Sequence, residues 1–295
     1  MASPELASVL DMLRASDLFG GTLHEMRERW DAQAAATPDA PGVRSEPVDA
    51  GGVPAVWFHP EDAAPGAIVY LHGGGYIVGS IATHRLLMGG LAIATARPVL
   101  GVEYRLAPEH PHPAAIDDAA AAYGWVLAAG IDPGRVVIAG DSAGGGLTVA
   151  TMLRLRETGA PLPAGGVCIS PWSDLGLGTG TMRTKADVDP LVTRRILEMG
   201  AGAYLAGADA RTPSASPRFA DLAGLPPLLV QVGTEEMLLD DARLLAERAE
   251  AHGVDVTLEV WDEMFHVWHA FAALLPEGQQ AIDRIGAWVR ARLGG

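Results

Sequence analysis

The segment from Arg135 to Gly146 carries the residue with the clearest chemistry. Gly140-Asp141-Ser142-Ala143-Gly144 fits the pattern G-x-S-x-G. It follows a short apolar run, Val136 to Ala139, that reads as a buried parallel strand, and it precedes a helix-compatible run, Leu147 to Arg156. A strand that turns sharply into a helix thrusts the Ser142 hydroxyl out above the sheet, and small residues two before and two after let the backbone pass. The helix that begins there aims free N–H groups and its positive end at whatever Ser142 attacks.

A serine hydroxyl is a poor nucleophile unless a base takes its proton and a carboxylate holds that base in the right tautomer. The strand expected at Val256–Trp261 ends in Asp262-Glu-Met-Phe-His266, which puts His266 where the base belongs. His269, three residues on, falls in the next helix, and His24, His252 and His59 lie on other elements. The strand expected at Leu228–Val232 runs into a loop with four carboxylates, Glu235, Glu236, Asp240 and Asp241. Asp240 reads as the N-cap of the following helix and Asp241 as a first-turn partner of its dipole, which leaves two glutamates in the loop proper. Donors for a developing oxyanion are expected from the Gly73 and Gly74 N–H groups, after the strand Ala67–Leu71, together with that of Ala143. His72 is expected to orient this loop.

These loops need strands to hold them. Residues 3–36 read as two amphipathic helices, the first with Ser3 and Pro4 as N-cap and N1 and with Leu6, Val9, Leu10 and Leu13 on one face. The second spans Thr22 to Ala36. Ser45–Asp49 and Val53–His59 form a hairpin through Gly51-Gly52. Strands then alternate with helices: Ala67–Leu71, Val99–Tyr104, a helix 114–129, the Ser142 strand and its helix, Val167–Ser170, Leu228–Val232, a helix 241–252, Val256–Trp261 and a helix 278–293. Such alternation implies a mostly parallel sheet with helices on both faces. Residues 172–224 interrupt the rhythm with far more chain than a crossover needs, including a helical piece from Leu191 to Tyr204, and read as a lid or binding element.

The 295 residues are 49% hydrophobic, ample for a core without staples. The one cysteine, Cys168, lies in an apolar run and reads as a buried thiol. A net charge of −15 argues against nucleic acid or anionic membrane as partner. No signal-like N-terminus and no membrane-length apolar run is evident, so the chain is expected in the cytoplasm.

The set of motifs resembles the bacterial hormone-sensitive-lipase family of the α/β-hydrolase fold. It comprises His72-Gly-Gly-Gly75, Tyr104-Arg-Leu-Ala-Pro-Glu109, Gly140-Asp-Ser-Ala-Gly144, Ser170-Pro-Trp-Ser-Asp174 and the acid loop, in order and over nearly the whole chain after residue 45. The resemblance implies an eight-stranded, mostly parallel α/β sheet under a helical cap. Residues 1–45 and 172–224 would form the cap, and 46–171 and 225–295 the catalytic core. Relatives carry D-x-L-x-D where this chain has Glu236-Met-Leu-Leu-Asp240, which points to Glu236 as the acid, with Asp240 as its rival. The E-x-L-L-D-D form is similar to a branch that includes lactone hydrolases. The implied activity is carboxylic ester hydrolysis through an acyl-enzyme on Ser142, without metal or cofactor. An amide-directed hydrolase, or a non-catalytic receptor, would use the same frame. Apolar residues in reach of the substrate are expected to include Tyr76, Ile77, Trp172, Met182, Leu191, Ile196, Met199 and Tyr204. The exposed edge Val256–Trp261 suggests a homodimer.

Overall fold

The computed structural model describes residues 2–16, 18–38 and 40–294. One eight-stranded sheet runs through it: β1 (Val43–Asp49), β2 (Pro54–Pro60), β3 (Ala67–Leu71), β4 (Val99–Val102), β5 (Val136–Asp141), β6 (Gly165–Ile169), β7 (Leu228–Gly233) and β8 (Val256–Trp261). Their order across the sheet is β1-β2-β4-β3-β5-β6-β7-β8. β2 is antiparallel to both its neighbours, and every other pair is parallel. The inner strands β3, β5, β6 and β7 are buried along their whole length, and for that reason read as unbroken apolar runs rather than alternations. Ligand-binding loops in such a sheet gather beyond the carboxyl ends of the strands. Here β3, β5, β7 and β8 deliver the four segments of interest to one end.

Nine helices, counted among the described residues, surround the sheet: α1 (Glu5–Ala15), α2 (Leu23–Ala36), α3 (Ile81–Thr95), α4 (Ala114–Ala128), α5 (Ala143–Thr158), α6 (Thr181–Thr184), α7 (Arg194–Leu205), α8 (Leu239–Ala251) and α9 (Pro276–Leu293). A capping box between Thr22 and Glu25 starts α2. α1 starts differently from expectation: Pro4 holds the cap position and makes no side-chain cap. The Ser3 N–H and hydroxyl instead reach the Glu277 carboxylate on α9, at 2.6 and 2.9 Å. α3 is an element the sequence reading did not separate. It is buried on most sides and carries Gly89-Gly90, so no single apolar stripe marks it, and its capping box pairs Ser80 with Thr83.

Cys168 is buried in β6, and burial pushes its thiol up to about 12. No helix among the described residues is long and apolar enough to cross a membrane.

Candidate active site

The turn from β5 into α5 is as tight as the motif demands. Ser142 sits at φ 53°, ψ −117°, a conformation an L-residue holds only when its surroundings enforce it. They do so here through the neighbouring strands. The Ser142 N–H donates to Ile169 O at 2.8 Å, and its carbonyl accepts from the Trp172 N–H at 2.9 Å. A Cβ at Gly144 would strike the Leu71 carbonyl, which explains that glycine directly. α5 begins at Ala143, immediately after the serine, so the Ala143 N–H is among the free donors of the helix start.

His266 lies in the loop after β8, buried, and its Nδ1 donates to Glu236 Oε2 at 2.9 Å. The other Glu236 oxygen, Oε1, accepts from Ser170 Oγ and from the Gly233 N–H, both at 2.7 Å. Ser170 Oγ accepts in turn from the Val267 N–H at 3.2 Å, tying the residue after His266 to the same carboxylate. Of the four carboxylates in the loop, the structure therefore brings Glu236 to the imidazole. The others have different partners. Glu235 pairs with Lys185 at 3.1 Å. Asp240 is not the N-cap of α8, a position taken by Leu238 without a side-chain cap; it accepts the Thr181 N–H at 3.0 Å. Asp241 does more than face the helix dipole. It is fully buried and accepts from the Ser173 and Asp174 N–H groups and the Thr179 hydroxyl, and burial with the nearby Asp174 charge pushes it up to about 8.

Burial alone would lower the basicity of His266, but the hydrogen bond and charge of Glu236, with Asp189 behind it, more than offset that and raise it above 6.5. Asp189 is a carboxylate of the long insertion. It accepts the N–H groups of Leu191, Val192 and Met237 at 2.9–3.0 Å, and burial raises it to about 6. The insertion is thus bonded to the residue next to Glu236. His269, by contrast, is buried against Gln231 Oε1 at 2.7 Å and pushed down to about 3, so it is a neutral core residue.

The glycine loop departs from expectation in one donor. The Gly73 N–H is already given to Asp141 Oδ1 at 3.0 Å, so it does not point at a substrate. Gly74 and Gly75 line the cavity beside Ser142, and their N–H groups have no acceptor among the described residues. The loop amides left free beside the cavity are therefore those of Gly74 and Gly75 rather than that of Gly73. His72 is pushed by burial down to about 3; its Nδ1 donates to Gly73 O at 2.8 Å and its ring stacks on Tyr104 at 4.2 Å. The Tyr104 hydroxyl holds the His72 carbonyl at 2.6 Å, which gives the Tyr104–Glu109 motif a scaffolding role.

Ser142 and His266 open into a cavity of about 240 Å³. Its walls come from α2 (Trp30, Ala34), α3 (Leu87), the insertion (Trp172, Leu191, Val192, Ile196, Leu197) and the segment after β8 (Val267, Phe271). Of the expected contacts, Trp172, Leu191 and Ile196 reach it. Tyr76, Met182 and Tyr204 do not. Tyr76 and Tyr204 stack on one another at 3.8 Å and Met182 is buried, so all three serve as core. Ile77 and Met199 also lie outside the lining. Phe19, Trp30 and Leu87 were not singled out from the sequence. Trp30 sits on a helix whose apolar face is weak, and Leu87 belongs to the unrecognised α3. No group of three or more potential metal ligands occurs among the described residues.

Comparison with known proteins agrees with this geometry. A family profile described as the α/β hydrolase fold matches residues 68–270. An acetyl-hydrolase of Streptomyces hygroscopicus is 44% identical over 295 residues, covering 100% of this chain and 99% of its own. An esterase of Acinetobacter venetianus is 39% identical, covering 84% of this chain and 82% of its own. Among solved structures, an esterase of the bacterial hormone-sensitive lipase family superposes with a TM-score of 0.95 at 48% identity, covering both chains fully. The esterase EstE5 superposes at 0.96 and 45%, again with full coverage of both. With the Ser142 turn, the His266–Glu236 pair and these relatives together, the chain belongs to the hormone-sensitive-lipase family of α/β-hydrolase-fold carboxylic ester hydrolases.

Proposed function

We propose that the protein is a serine carboxylesterase that acts through an acyl-enzyme on Ser142. The observation that carries this reading is the strained Ser142 turn opening into the same apolar cavity as His266, whose far nitrogen is held by Glu236 at 2.9 Å. His266 takes the Ser142 proton as the hydroxyl attacks the ester carbonyl. The oxyanion is held by the N–H groups of Gly74, Gly75 and Ala143, each well-placed donor contributing about 2.7–4 kcal/mol. His266 then protonates the leaving alcohol, and a water repeats the sequence to release the acid. No step calls for a metal or cofactor.

A cavity of about 240 Å³ with mainly hydrocarbon walls suits a short to medium acyl chain, in keeping with a relative named an acetyl-hydrolase. A p-nitrophenyl ester series is expected to give its highest kcat/KM on acetate to hexanoate and to lose activity well before palmitate. A preference for long-chain substrates would contradict it. An ε-lactone run in parallel tests whether the reading extends to cyclic esters. A matched anilide hydrolysed as fast as its ester would shift the reading to an amide-directed enzyme.

The base must be neutral to accept the Ser142 proton, and Glu236 holds the imidazolium above 6.5. We therefore expect kcat/KM to rise with pH along a limb lying above pH 6.5. In Glu236→Gln that limb should move to lower pH. A limb unmoved by the substitution would separate His266 from Glu236. We place a homodimer contact on β8, the sheet edge, whose residues are largely half-exposed; light scattering showing a monomer would remove it.

A further inference from the structure

A second histidine–carboxylate pair lines the cavity beside Ser142. Asp141, immediately before the nucleophile, is buried, and it joins three elements: Oδ1 accepts from the Tyr70 hydroxyl on β3 at 2.7 Å and from the Gly73 N–H at 3.0 Å, and Oδ2 lies 3.4 Å from His84 Nε2 on α3. This carboxylate fixes the glycine loop to the serine turn. It also sets a negative charge one residue from the atom that must attack, in a place where a further negative charge develops in the transition state.

The surroundings of His84 determine its protonation. The Thr83 hydroxyl donates to Ser80 O at 2.8 Å and accepts from the Ser80 N–H at 2.9 Å. The same hydroxyl lies 2.8 Å from His84 Nδ1. The second neighbour of Nδ1 is the Ser80 carbonyl at 3.2 Å, an acceptor. Nε2 faces the Asp141 carboxylate, an acceptor as well. Each ring nitrogen thus has an oxygen that can accept its proton, Asp141 Oδ2 at Nε2 and the Ser80 carbonyl at Nδ1, so the doubly protonated ring is accommodated on both sides. The charged groups that face it are anions, Asp141 at the end of β5 and Glu103 after β4. The one nearby imidazole, His72, is pushed down to about 3 and carries no charge. Burial lowers the basicity of His84, but these contacts more than offset that and raise it above its ordinary value.

We propose that His84 is a positioning residue for this reaction, an imidazolium that neutralises Asp141 and so locks the glycine loop to the Ser142 turn without leaving a bare anion beside the developing oxyanion. It rests on the acyl-enzyme reading above and acts through Asp141.

The test compares the wild type with His84→Gln, whose amide still donates to Asp141 but carries no charge. On p-nitrophenyl butyrate kcat is expected to fall by at least about tenfold, short of the 10²–10³ cost of deleting an oxyanion donor outright, with KM changed less than about twofold. The thermal midpoint should fall, because the buried Asp141 loses its counter-charge, while the stoichiometry of phosphonate labelling of the folded variant stays at the wild-type value. Imidazole ¹⁵N–¹H NMR of the wild type at neutral pH should show a ring with both nitrogens protonated that is absent from the variant. Wild-type kcat in His84→Gln, or a His84 ring with a single N–H, would overturn the proposal. If His84→Gln does not fold, His84→Asn supplies the spectral assignment and the wild-type ring decides. A wild type that takes no phosphonate at Ser142 would remove the acyl-enzyme reading, whereas the protonation of His84 would still be read.

Discussion

Ser142→Ala is expected to lower kcat on a p-nitrophenyl ester by on the order of 10⁶, with stability changed by no more than about 0.5 kcal/mol. The two halves of this prediction come from separate features. Activity would be lost because the hydroxyl at the tight β5–α5 turn, in the cavity shared with His266, is the one removed. Stability is kept because the turn is enforced by main-chain bonds, Ser142 N–H to Ile169 O and Trp172 N–H to Ser142 O, which alanine retains. Alanine also occupies positive φ at a cost close to that of serine, so the strain neither grows nor relaxes. A variant that unfolds, or one that keeps a tenth of the wild-type rate, would contradict the assignment. Kinetics and a thermal melt on the same preparation read both.

The second large effect concerns the acid. Glu236→Gln is expected to reduce kcat by about 10⁴ with the fold intact. Glutamine can leave its oxygen where Ser170 Oγ and the Gly233 N–H donate and turn its NH₂ toward His266 Nδ1. Two donors cannot share that contact, so the imidazole moves its proton to Nε2, the nitrogen that must accept from Ser142. Glu236→Ala is a poorer probe, since it strands three buried donors at about 1–3 kcal/mol each. Asp240→Asn should keep near-full activity, because Asp240 is bonded to the Thr181 N–H and not to the imidazole. Activity surviving in Glu236→Gln while lost in Asp240→Asn would transfer the role to Asp240.

Ser142 and His266 could be singled out in the sequence because each lies in the segment that follows a strand of plain pattern, and the carboxyl edge of a parallel sheet is a defined place. The sheet itself followed from the same runs. Glu236 was separable from its three neighbours only through the family motif, since loop residues carry no periodicity to say which carboxylate turns inward. In the structure that choice is made by Ser170 and Gly233, one of them 66 residues away. Three glycines in a row likewise do not tell which amides face a substrate. Asp141, 68 residues on, takes the Gly73 N–H and leaves Gly74 and Gly75 to the cavity. The aromatic residues misled for a related reason. Residue type marks Tyr76 and Tyr204 as apolar, but only the packing of α7 on the glycine loop shows that they spend their faces on each other. α3 hid because a helix buried on most sides has no polar stripe, and with it went His84 and Leu87.

The acyl-enzyme account meets its most direct test in labelling with an aryl phosphonate, which forms a stable ester with an activated serine. Intact-mass spectrometry should show one adduct per chain, peptide mapping should place it on Ser142, and hydrolysis should disappear in proportion to the adduct. A phosphonate that leaves the chain unmodified while hydrolysis continues, or one that attaches elsewhere and abolishes it, would contradict the account.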